Sequence, residues 1–261
     1  MPRPAVHCGL CPARYNQPMR MILQQMAGLM VRVVDDLPEG GKPSLAVVLC
    51  HGFGAPGTDL VNLAPELLEA SPKLAATTRF YFPEAPLSLD SYGLFGGRAW
   101  WLIDLDEFVA AAATGKPRTR VASERPEGLL EARAAVAGLV QEVGRETGLP
   151  PGKIALGGFS QGSMVTMDVA LQMAESPACL IAWSGTLLNE EEWRANAPKR
   201  AGLRVVQSHG RQDPILPYSW AETLRDMLTE YGLKVEFLPF DGPHTISQAA
   251  IQATIAALEG A

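Results

Sequence analysis

From about residue 31 the chain alternates short apolar runs with longer stretches in which apolar residues recur every three or four positions. The short runs are VRVV (31–34), LAVVLC (45–50), RFYF (79–82), IALGG (154–158), CLIAW (179–183), LRVVQS (203–208) and KVEFLPF (234–240). Most are continuously apolar, the pattern of strands covered on both faces. The helical period predicts helices over 60–70, 127–146, 161–174, 218–230 and 246–258. In the second, Leu129, Val136, Val140 and Val143 share a face, and in the fourth Trp220, Leu224, Met227 and Leu228 do. Strands alternating with helices in this way predict an α/β architecture with a mostly parallel sheet and helices on both sides.

Two regions break the pattern. Residues 83–126 are too long for a plain connection and combine paired tryptophans with a polar stretch, so they are expected to form an insertion. Trp100, Trp101, Leu102 and Phe108 are its candidates for a substrate-binding wall. The first 30 residues are rich in Pro, Cys and Met, and are expected to be an N-terminal tail or the product of an early start, leaving 31–261 as one domain. His7 with the Cys8 and Cys11 pair could bind metal, but no second ligand pair follows at a zinc-site spacing.

Composition narrows the function classes. Lys and Arg number 22 against 28 Asp and Glu, a net charge of −6 without a basic run, which argues against nucleic acid as a partner. Four cysteines in 261 residues do not make a disulfide framework, and Cys50 and Cys179 sit in apolar runs. No apolar stretch is long enough for stable membrane insertion, and the N-terminus lacks a secretory pattern. The expected compartment is the cytoplasm. Oligomeric state is left open.

The candidate chemistry centres on GGFSQGS (157–163), which joins a strand to a helix with glycines on both sides of Ser160. A turn sharp enough to project a serine outward needs small neighbours. A serine hydroxyl needs a base, and the base needs a carboxylate to hold its tautomer. Of four histidines, His7 lies in the tail, while His51 and His209 each end a strand as His-Gly, where imidazole props a loop. His244 lies between the last strand and the last helix and is the candidate base. Asp213, in HGRQDP, is the candidate acid; Asp241 is a rival too near His244 in sequence, and Asp168 is expected to be a solvated or capping carboxylate. The backbone N–H groups of Phe53, in HGFG, and of Gln161, at a helix start, are candidate oxyanion donors.

These residues resemble the phospholipase/carboxylesterase family of α/β-hydrolases, which includes the acyl-protein thioesterases. The matching segments are LCHGFG (49–54), FPEAP (82–86), RAWW (98–101), GGFSQGS (157–163), SHGRQDPILP (208–217) and GPHTIS (242–247), in family order. The resemblance implies an α/β-hydrolase fold, a Ser160–His244–Asp213 triad, and an oxyanion hole at Phe53 and Gln161. The chain departs from the family in carrying Ser163 where glycine is usual, and in a longer segment after RAWW.

The expected activity is hydrolysis of small-molecule or lipid esters, thioesters and lysophospholipids included, through an acyl-enzyme, with neither metal nor organic cofactor implied. Amide cleavage by the same triad and a silent binding protein on the same scaffold are the competing readings.

Overall fold

The computed structural model describes residues 19–103 and 125–261. His7, Cys8, Cys11 and Phe108 therefore lie outside the described residues. Ten strands are present among those described: β1 (Arg20–Met26), β2 (Leu29–Asp35), β3 (Leu45–Cys50), β4 (Thr78–Pro83), β5 (Leu87–Ser88), β6 (Arg98–Ala99), β7 (Ile154–Phe159), β8 (Leu180–Trp183), β9 (Arg204–Gly210) and β10 (Lys234–Phe240). Eight form one sheet in the order β1-β2-β4-β3-β7-β8-β9-β10. The β1/β2 and β2/β4 pairs are antiparallel and all pairs from β4/β3 to β9/β10 are parallel.

The helices are α1 (Leu63–Ala70), α2 (Pro72–Thr77), α3 (Leu129–Thr147), α4 (Gln161–Gln172), α5 (Glu190–Asn196), α6 (Tyr218–Glu230) and α7 (Gln248–Glu259). Side-chain alternation sorts the strands between two apolar layers. Ala46, Val48 and Cys50 of β3 face a core shared with α3, α4 and α6, through residues such as Leu129, Val136, Val165 and Leu224. Leu45, Val47 and Leu49 face the opposite core with Leu67, Leu74 and Ile251. Because both faces are buried, period-two alternation vanishes from the sequence and the strands read as solid apolar runs. No helix among the described residues is long and apolar enough to cross a membrane.

Three expectations change. Residues 20–26, assigned to the tail, form edge strand β1, which pairs along its length with β2. Asp168 is neither solvated nor capping: it is fully buried on α4, where Trp193 Nε1 donates to Oδ1 at 2.7 Å and the Arg133 guanidinium forms an ion pair with it. Helices α2 and α5 were not anticipated. In the 83–126 region, β5 and β6 form a small hairpin (Leu87↔Ala99, Ser88↔Arg98).

Candidate active site

Five loops leave the carboxyl ends of parallel strands β3, β7, β8, β9 and β10, the edge at which an open α/β sheet presents its functional groups. Ser160 follows β7 with φ 54° and ψ −121°, a conformation costly for a residue with a side chain. Its N–H is held by the Trp183 carbonyl at 2.9 Å, and its own carbonyl accepts from Ser163 Oγ at 2.8 Å. Close backbone approach explains the flanking glycines. A Cβ on either Gly158 or Gly162 would collide with the Cys50 carbonyl oxygen. Ser163, the departure from the family pattern, is thus an extra tether on the turn, and Gly185 leaves the space its hydroxyl occupies.

Asp213 and His244 are brought into contact, with Nδ1 2.6 Å from Oδ2. Since an ionised carboxylate only accepts, Nδ1 carries the proton and Nε2 is left as the basic nitrogen. The other oxygen, Oδ1, accepts from the Ile215 and Leu216 N–H groups, each at 2.9 Å. Burial pushes the Asp213 carboxyl up, but the His244 N–H and these backbone donors outweigh it, so it titrates below its ordinary range. The rival Asp241 is exposed and faces Arg211 at 3.7 Å. The His244 ring packs on Phe159, the residue before Ser160, with centroids 4.6 Å apart.

The HGFG loop abuts the same turn: a Cβ on Gly52 would lie 3.2 Å from that of Ser160. Phe53 is half-buried in this loop. Its successor Gly54 donates to the Arg98 carbonyl at 2.9 Å, and Arg98 N–H returns a bond to Ala55. Gln161 is the first residue of α4, where backbone N–H groups have no intrahelical acceptor.

The Gln161 side chain has a task that the sequence did not disclose. Its Oε1 accepts from Trp100 N and its Nε2 donates to Trp101 O, both at 2.9 Å, which clamps RAWW to the serine turn. A fully buried amide must find such partners, so a glutamine at a buried helix start was the available signal. Arg98 completes the clamp, donating from Nε to the Ala85 carbonyl at 2.9 Å. Trp100 and Trp101 lie in the core, and Leu102 alone of the three is substantially exposed.

The remaining histidines prop loops. His51 Nδ1 donates to Gly52 O at 2.8 Å and its Nε2 accepts from Ala85 N at 3.1 Å. His209 Nε2 donates to Leu216 O at 2.8 Å and lies 3.3 Å from Asp213 Oδ2. Burial pushes both below the ordinary histidine range, consistent with neutral rings. Among the described residues no group of His, Cys, Asp and Glu side chains could hold a metal ion.

Comparison with known proteins identifies the family and the fold. The family profile described as phospholipase/carboxylesterase matches residues 37–259. Acyl-protein thioesterase 1 of Eremothecium gossypii is 30% identical over 214 residues, covering 81% of this chain and 85% of the relative. The Kluyveromyces lactis protein of the same name is 31% identical over 194 residues, covering 73% and 79%. Among solved structures, esterase PE8 superposes with a TM-score of 0.70 at 25% identity, covering 92% of this chain and 97% of that one. A carboxylesterase from Mesorhizobium loti shares the fold, with a TM-score of 0.69 at 17% identity and coverage of 94% and 100%. The chain belongs to the phospholipase/carboxylesterase family of α/β-hydrolases and is a carboxylic ester hydrolase.

Proposed function

We propose that this hydrolase cleaves carboxylic esters, and thioesters by the same route, through an acyl-enzyme on Ser160. The observation that carries the reading is the 2.6 Å contact between His244 Nδ1 and Asp213, on a loop whose imidazole packs against the residue preceding Ser160. Asp213 fixes the tautomer, so Nε2 takes the proton as Ser160 Oγ attacks the acyl carbon. The Phe53 and Gln161 N–H groups hold the oxyanion, aided by the N-terminal dipole of α4. His244 then protonates the leaving alcohol or thiol as its bond to the acyl carbon breaks. Water repeats the sequence, passing its proton to Nε2 and freeing the acid and Ser160.

The acyl-protein thioesterase 1 relatives support extending the reaction to thioesters. Exposed Leu102, next to the clamped tryptophans, supports an apolar acyl group from a small-molecule or lipid substrate. Cys50 and Cys179, buried and free of disulfides among the described residues, fit a reducing cytoplasm.

The test is a set of initial rates on p-nitrophenyl esters of increasing chain length, matched acyl thioesters and p-nitroanilides, with S160A and H244A alongside. Turnover of esters and thioesters, lost by ~10⁴-fold or more in both variants, is expected. Turnover confined to anilides, or an S160A enzyme of undiminished rate, contradicts the proposal.

A further inference from the structure

The geometry points to Ser184 as a positioning residue for the catalytic histidine, an inference that rests on the proposed triad. Ser184 follows β8, is fully buried, and adopts φ 48°, the left-handed region that favours glycine. Glycine would sit there without strain, and the next residue is already Gly185. The retained side chain is engaged: Oγ donates to the Thr245 carbonyl at 3.0 Å, on the residue after His244.

The surrounding backbone gives that bond leverage. At Trp183 the carbonyl holds the N–H of Ser160, and at Ser184 the N–H is held by the Ser208 carbonyl at 2.8 Å, next to the strand end that leads to Asp213. Two consecutive residues thus connect all three loops of the proposed triad: the serine turn and the β9 end through backbone, the histidine loop through the Ser184 hydroxyl. The Thr245 residue is itself exposed, and Asp213 restrains His244 only through the ring. Without the hydroxyl, the histidine backbone is freer to drift while the ring stays tethered, and Nε2 loses its alignment with Ser160 Oγ. Displacements of this kind act on the chemical step more than on substrate binding.

The experiment measures kcat, KM and Tm on one p-nitrophenyl ester for wild type, S184G, S184A and S160A. S184G removes the hydroxyl and relieves the backbone, so its Tm should equal or exceed that of wild type while kcat falls ~10-fold at unchanged KM. S184A keeps the backbone strain and loses the same bond, so its kcat should match that of S184G at a lower Tm. A purely structural serine would make kcat follow Tm across the two variants. Wild-type kcat in S184G with an inactive S160A overturns the positioning role and leaves the triad standing. An active S160A overturns the triad, and the positioning role with it.

Discussion

At the residue scale, the site is governed by how Asp213 is held. Burial alone would favour its neutral form, yet two backbone N–H groups and the His244 ring keep it charged. A carboxyl depressed on folding contributes stability that is fully present above its unfolded value, about 3.9, and is lost as pH falls through the folded value. D213N removes that contribution and, in the proposed mechanism, the tautomer control of His244. Activity should fall on the order of 10⁴-fold. The Tm advantage of wild type over D213N near neutral pH should shrink below about pH 4; melts across that range check it, and a gap that stays constant with pH contradicts it. The proposed triad of Ser160, Asp213 and His244 could be picked out of the sequence because each is flagged by glycine or proline at a strand end, and the structure brings Asp213 and His244 into contact. Ser184 could not be, because a left-handed serine leaves no periodic trace, and the Gln161 amide was hidden behind the expected role of its backbone.

At the scale of elements, α4 carries the serine turn at one end and a buried charge cluster farther along. Arg133 of α3 reaches both Asp168 of α4 and Glu192 of α5, and Trp193 donates to the same Asp168. Removing the cation leaves a carboxylate without solvent or counter-charge, the costly way to break a buried pair. R133M should lower unfolding free energy by about 3 kcal/mol, and R133M/D168N, which removes the buried charge while keeping an acceptor for Trp193 Nε1, should regain part of it. Urea unfolding reads both, and a loss within about 0.5 kcal/mol for R133M contradicts the account. The sequence placed α6 at its observed limits since its apolar stripe is clean, whereas α2 and α5 span fewer than two or about two turns, too short for a period to emerge. Strand β1 escaped notice for a different reason: Met21, Ile22 and Leu23 are all exposed, so no buried face imposes a pattern. Asp168 was misread because its partners, Arg133 and Trp193, come from other helices 35 and 25 residues away in sequence.

At the scale of the whole molecule, the two apolar layers on either side of the sheet fix strand order, and strand order fixes which loops meet. Segments as distant as HGFG, GFSQG, HGRQDP and GPH converge because β3, β7, β9 and β10 run parallel and end at one edge. That convergence was readable from the alternation of strands and helices; the clamp joining RAWW and FPEAP to it was not, since it depends on side-chain to backbone bonds. The central claim, a serine at 160 activated by the histidine at 244, is tested most directly by treating the folded enzyme with a fluorophosphonate and locating the adduct by peptide mass spectrometry. The account predicts stoichiometric modification of Ser160 in wild type and its near loss in H244A that retains the wild-type melting profile. An adduct on another residue, or equal labelling of Ser160 in H244A, would contradict it.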